Sequence, residues 1–181
     1  MYGGAVTRVP YEIRVGELLK EKQKKLVLAE SCTGGLVGNL ITNIAGSSDY
    51  YLGSVTAYAY EAKEALLGVR HETLLQYGAV SRQTVLEMAA GARRSLAGGI
   101  PLDSIIGVSI SGIAGPGGGL PDKPVGTVWF GMSTADGDWA WRCMFKGNRV
   151  QNKRSAARTA LKLVIAYLAG SLPPETRSQR H

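Results

Sequence analysis

From residue 11 onward the chain alternates between short, continuously apolar runs and longer stretches whose apolar positions recur every three or four residues. In "YEIRVGELLKEKQ" (11–23), Ile13, Val15, Leu18 and Leu19 fall near helical spacing with charges between them, which predicts a surface helix. "KLVLAE" (25–30) is apolar without alternation, the pattern of a short strand covered on both faces. A helix is predicted from Thr33 to about Ile44, with Leu36, Leu40, Ile41 and Ile44 on one face. After the loop "AGSSDYYLG", the β-branched and aromatic "SVTAYAY" (54–60) reads as a strand. "EAKEALLGV" and "HETLLQYG" are short helices stopped by Gly68 and Gly78. "SRQTVLEMAAGARRSLAGG" is a longer one, with Ser81 as N-cap and Gly98-Gly99 as terminator. "DSIIGVSISGI" is a further strand that runs into "AGPGGGLPDKP". "VGTVWFGMST" and "DWAWRCMFKG" form a hairpin turning at Ala135-Asp136-Gly137. "NRVQNKRSAARTALKLVIAYLAG" closes the pattern as a helix with an apolar stripe at Val150, Ala157, Leu161, Val164 and Leu168, and "SLPPETRSQRH" follows as a frayed polar tail.

Strand-helix alternation early and a hairpin late predict an α/β fold: a single domain, three-layer α/β/α, with a mixed, mainly parallel sheet. The core is expected over about 11–169, with 170–181 as a flexible tail. At 181 residues and 19.2 kDa the chain suits one such domain. No apolar run reaches the roughly 18 residues of a membrane span. The opening "MYGGAVTRVPYEIRV" lacks the apolar core of a secretory signal, so a cytoplasmic location is expected. Cys32 and Cys143 are the only cysteines, too few for a disulfide framework and without zinc-ligand spacing. The net charge of +7 raises the question of nucleic acid, but aromatic residues are not interleaved with "KEKQKK" (20–25), Arg93-Arg94 or the basic last third. A protein that handles phosphorylated small molecules carries such charge equally well.

The most chemically dense stretch is "AESCTGG". There an apolar strand ends in Glu30, Ser31, Cys32, Thr33, Gly34 and Gly35, with a helix to follow. Free N–H groups at a helix start favour an anionic intermediate or a phosphate, and the paired glycines allow close approach to the backbone. A plain N-cap at Ser31 or Thr33 accounts for part of the pattern. Cys32 is a second possible nucleophile if the helix start lowers its pKa, or else a small buried apolar residue. With only His71 and His181 as imidazoles, and no G-x-S-x-G or S-x-x-K pattern at Ser31, a lysine from elsewhere is the economical base for the serine. Lys63 follows the second strand and would reach the same sheet edge if that strand ran parallel to the first. A second cation beside it would help lower its pKa. A solvated lysine paired with Glu61 or Glu64 is the ordinary alternative. Tyr58 offers a polar handle or plain packing, and Arg149, at the entrance of the last helix, can point into a cleft. The Gly/Pro loop 111–126 is either an anion nest or a flexible connector, and matches neither the Walker nor the Rossmann pattern.

Taken together, "AESCTGG", "AYAYEAKEALLGV", "GAVS", "SGIAGP", "KPVGTV" and "FKGNR" resemble, in order and spacing, the C-terminal domain of the competence/damage-inducible CinA proteins. The similarity runs from about residue 12 to 168. It implies a nicotinamide-nucleotide amidase that hydrolyses the carboxamide of nicotinamide mononucleotide to nicotinate mononucleotide and ammonia, in pyridine-nucleotide salvage. Carried over by motif, Ser31 is the nucleophile and Lys63 its base, with Tyr58 and Arg149 assisting. Glu30, Cys32, Thr33, Gly34, Gly35, Ser111, Gly112, Gly115, Pro116 and Gly117 would line the substrate site, and N–H groups at 32–35 would form the oxyanion hole. The resemblance implies no metal and no cofactor. The sequence departs from the family where Ser111 replaces threonine, Tyr60 asparagine and Asn148 aspartate. Tyr60 is therefore expected to crowd the site's mouth, and Asn148 to alter how Arg149 is held.

Two other readings stay open at this point: a catalytically weak nucleotide-binding or protein-interaction module, and a nucleic-acid-associated protein of the damage response. The expected partners are a small nucleotide substrate and further copies of the chain, a dimer or larger, with no membrane.

Overall fold

In a computed structural model that describes residues 9–176, the apolar run becomes strand β1 (Lys25–Glu30), and its neighbours explain why it does not alternate. Leu26 and Leu28 face a cluster with α1 (Tyr11–Glu21), α2 (Leu36–Thr42) and α6 (Arg149–Leu168). Val27 and Ala29 face the opposite cluster, with α3 (Tyr60–Leu67), α4 (His71–Tyr77) and α5 (Arg82–Ser95). A strand apolar on both sides needs cover on both sides, and the result is the three-layer α/β/α arrangement expected.

The sheet has order β2-β1-β3-β4-β5, with β2 at Tyr51–Thr56, β3 at Ile105–Gly112, β4 at Thr127–Ser133 and β5 at Asp138–Met144. β1 pairs in parallel with β2 and β3, while β4 runs antiparallel to β3 and β5, so four of the five strands point the same way. The sheet is mixed and mainly parallel. Glu30, at the end of β1, stands level with Thr56 of β2 and Ile110 of β3. The three carboxyl ends therefore open at one edge, where open α/β sheets bind ligands. Across the sheet α5 lies very close: a Cβ on Gly107 or Gly131 would come within 2.4 Å or 2.3 Å of an α5 carbonyl oxygen. Among the described residues, no helix is long and apolar enough to cross a membrane.

Several element boundaries differ from expectation. The helix predicted from Thr33 begins only at Leu36, because Gly34 and Gly35 adopt φ of 64° and 89° and a right-handed helix cannot pass through them. β2 starts and ends earlier than predicted, at Tyr51 and Thr56. The Ala57 N–H makes one last bond to the Glu30 carbonyl at 2.9 Å before α3 begins at Tyr60. α5 is capped by Ser81 as expected, yet ends at Ser95, ahead of the glycine pair. Val150 is exposed and Asn152 takes the buried position in α6.

The tail is the largest correction, since residues 171–176 are bound along the outer edge of β5. The Thr176 N–H donates to the Ala140 carbonyl at 3.1 Å, the Trp141 indole donates to the Pro173 carbonyl at 3.1 Å, and Glu175 pairs with Arg82 and accepts from the Ala140 N–H. An edge strand offers unpaired donors and acceptors, and the tail supplies their partners. The remainder of the expected tail, 177–181, lies outside the described residues, and so do 1–8, on which the leader reading drew.

Candidate active site

The corner after β1 is held on both sides by the sheet. The Ser31 N–H donates to the Ile110 carbonyl at 2.9 Å, and the Glu30 carbonyl accepts from Ala57. The Glu30 side chain, fully buried, accepts from the N–H groups of Val37 at 3.1 Å and Gly38 at 2.9 Å. Those donors are among the orphans of the helix start, so the carboxylate anchors α2 instead of lining a substrate site. Glu30 thus departs from its expected role because both its oxygens are already occupied.

Lys63 comes from the first turns of α3, and its side chain is fully buried. Its Nζ donates to the carbonyls of Ala57 at 2.9 Å and Tyr58 at 3.0 Å, and to Ser31 Oγ at 3.2 Å. Among the described residues no carboxylate pairs with it, and its full burial is not that of a solvated lysine. Burial lowers its pKa from the usual 10.5 to about 8, against an opposing pull from Cys32. The second cation expected to assist is not needed, since desolvation alone produces the shift. Near neutrality a fraction of these amines is neutral, with a lone pair in reach of the serine hydroxyl proton.

Cys32 is buried, and desolvation pushes its pKa up to about 12, outweighing its backbone N–H and the nearby lysines. Burial thus favours the protonated thiol at Cys32, whereas Ser31 Oγ has the Lys63 amine within hydrogen-bond distance. His71 is exposed and pairs with Glu64 at 2.8 Å, so it takes no part in a triad.

Arg149, the first residue of α6, closes the other side. It donates to the Gly115 carbonyl at 2.8 Å and to the Tyr58 hydroxyl at 3.0 Å. Cys32, Tyr58, Arg149 and the glycine loop 112–118 line a cleft of about 230 Å³. Of the residues expected to line a substrate site, Gly112, Gly115 and Gly117 line this cleft, while Pro116 is exposed and off the lining. Ser111 is also off it: its buried hydroxyl donates to the Ala79 carbonyl at 2.7 Å, tying β3 to the loop before α5. Thr33 is fully buried, and its hydroxyl has no partner among the described residues. The Gly34 N–H donates to the Ser31 carbonyl at 3.0 Å, which withdraws one of the four expected oxyanion donors. Gly35 caps α2 in the left-handed region.

The two departures expected to disturb the site do not reach it. Tyr60 turns its hydroxyl to the Ala79 N–H at 3.2 Å and does not line the cleft. Asn148 forms a reciprocal capping box with Gln151 at the start of α6, a role for which a carboxylate charge is not required. Arg149 is held by its neutral acceptors instead.

Two residues were missed by sequence reasoning. Asn152, buried, donates to the Ala114 carbonyl at 3.0 Å and accepts from the Gly147 N–H at 2.9 Å, fixing the glycine loop to α6. A polar residue on an otherwise apolar stripe was the available signal. Lys153 brings its ammonium to 3.6 Å from where a Cβ on Gly34 would stand. Nothing local distinguishes it from the basic row Arg154, Arg158 and Lys162, which is solvated as expected. Among the described residues no three His, Cys, Asp or Glu side chains are grouped to hold a metal ion.

Comparison with known proteins places this geometry in a family. Residues 9–168 match the CinA C-terminal domain. A protein of Shigella flexneri named nicotinamide-nucleotide amidohydrolase PncC is 47% identical over 150 residues, which span 82% of this chain and 87% of that protein. A CinA-like protein of Salinibacter ruber is 46% identical over 154 residues, 85% of this chain but only 36% of its own length. Among solved structures, a CinA superfamily protein from Klebsiella pneumoniae superposes with a TM-score of 0.82 at 35% identity, covering 88% of this chain and 96% of that one.

Proposed function

Because the chain belongs to the CinA C-terminal domain family, we propose that it is a nicotinamide-nucleotide amidohydrolase. It converts nicotinamide mononucleotide and water to nicotinate mononucleotide and ammonia through a Ser31–Lys63 pair, without a metal. The observation that carries this reading is the fully buried amine of Lys63 at 3.2 Å from Ser31 Oγ. Relatives named for this activity, 47% identical across most of the chain, support the substrate.

The neutral Lys63 amine takes the Ser31 proton as Oγ attacks the carboxamide carbon, and the tetrahedral oxyanion is met by N–H groups of the 32–35 turn other than that of Gly34. Lys63 then returns the proton to the departing nitrogen, which leaves as ammonia. Water, deprotonated by the same amine, attacks the acyl-enzyme, and the acid is released as Oγ recovers its proton. Each half-reaction thus leaves Lys63 as it began. Arg149 and Tyr58, bonded to each other at the cleft wall, orient the pyridine amide or its ribose. We assign the reaction to pyridine-nucleotide salvage in the cytoplasm, by a self-associating protein.

The rival module reading drew on Tyr60 and Asn148, and both are accounted for away from the cleft lining. The deciding experiment is ammonia release from nicotinamide mononucleotide by the wild type and Ser31→Ala. Release by the wild type alone is expected. Release surviving in Ser31→Ala removes the serine from the mechanism, and none from folded wild type removes the activity.

A further inference from the structure

Among the described residues, a cation beside the turn after Ser31 is left without an acceptor. Lys153 lies on α6 one turn beyond Arg149, half-buried, and its ammonium has no hydrogen-bond or ion-pair partner among the described residues. It overhangs the turn after Ser31, with Nζ 3.6 Å from the Cβ position of Gly34, and its field reaches the Cys32 thiol. Arg149 differs, since Gly115 and Tyr58 take its donors. Glu30, the carboxylate of this corner, is committed to α2.

An ammonium that the protein leaves without an acceptor keeps all its donors available to a ligand. A second observation lies in the same turn. The Thr33 hydroxyl is fully buried and unpartnered among the described residues, an arrangement that is rare without a ligand or water to complete it. Gly34, in the left-handed region, puts no side chain between the ammonium and the backbone. Ser31 and Lys63 hold one end of this turn, and Lys153 covers the other.

We propose that Lys153, over the Thr33–Gly34 turn, is the subsite for the phosphate of a phosphomonoester substrate, and that it sets the preference for mononucleotide over nucleoside. The proposal rests on the amidase reading of Ser31 and Lys63. A phosphate dianion matches a compact ammonium as a point charge.

The test measures kcat and KM on nicotinamide mononucleotide and on nicotinamide riboside for the wild type, Lys153→Gln and Lys153→Arg. In Lys153→Gln the ratio of kcat/KM for mononucleotide over riboside falls about 10- to 100-fold, the scale of one charge-assisted hydrogen bond, and the fall is carried by KM. Lys153→Arg recovers most of it. An unchanged ratio, or a loss carried by kcat, overturns the proposal. If the wild type hydrolyses neither compound, a titration with inorganic phosphate decides, followed through the amide resonances of Thr33, Gly34 and Gly35. Saturable shifts that vanish in Lys153→Gln keep the subsite while the amidase reading falls. Shifts absent from the wild type, or equal in the variant, overturn the subsite.

Discussion

The corner after β1 and the corner after β2 each bury a full charge, and the two charges have different partners. At the first, the Glu30 carboxylate accepts from two backbone N–H groups and, among the described residues, from no side chain. At the second, the Lys63 ammonium has two backbone carbonyls and, as its third neighbour, a serine hydroxyl. A buried charge whose bonds all go to the backbone fixes geometry. A buried charge with one bond to a side-chain hydroxyl can exchange a proton with it. The difference is sharpened by burial, which lowers Lys63 to about 8 and so brings its neutral form within reach of physiological pH.

Replacing Lys63 by methionine tests the second corner most severely. It should reduce kcat by about 10² to 10⁴, the usual contribution of a general base, while the circular dichroism spectrum stays that of the folded protein. A loss under tenfold would break the contrast between the corners. The pH profile is the next largest effect. Below about 8, kcat/KM should fall about tenfold per pH unit as Lys63 protonates, and above it level off, with the dependence absent from Lys63→Met.

The same group acts on stability. Its folded pKa of about 8 lies below the usual 10.5, so between those values the unfolded chain binds the proton more tightly. Below about 8 both states are protonated and the folded state carries the whole burial penalty. Stability therefore rises with pH across the window from about 8 to 10.5, and the urea midpoint should climb there in the wild type more than in Lys63→Met.

The first corner should respond in stability. Glu30→Gln sets an amide NH₂ against one of the two helix N–H groups and should cost about 1–3 kcal/mol. At roughly 2–4 °C per kcal/mol for a chain of this size, thermal denaturation would register it clearly. The smallest effect concerns Cys32. With its thiol at about 12, iodoacetamide should label it far more slowly at neutral pH than an ordinary exposed cysteine, as peptide mass spectrometry can read. Fast labelling would put Cys32 back beside Ser31 as a nucleophile.

Much of this is legible in the sequence. The unbroken apolar run 26–29 required a two-sided sheet, and the spacing from "AESCTGG" to Lys63 brought two parallel strand ends together. The β4–β5 hairpin and the Ser81 cap also follow from local pattern. The binding of residues 171–176 was not legible: "SLPPET" is polar and proline-bearing, and only the presence of the β5 edge makes it a partner. Ser111 was misassigned for a related reason. Its place on a buried strand was clear, but which carbonyl its hydroxyl would meet depended on Ala79, 32 residues away.

What the sequence determined by itself was therefore the elements, their faces and the residues able to do chemistry, because periodicity and turn chemistry act over a few neighbours. What only the tertiary structure decided was the state of those residues: Glu30 bound to a helix start, Cys32 buried with its thiol pKa pushed up, Lys63 buried with its amine at Ser31, Lys153 left facing a glycine turn. Desolvation and hydrogen-bond partners come from groups brought in across the chain, and no local pattern encodes which groups those will be.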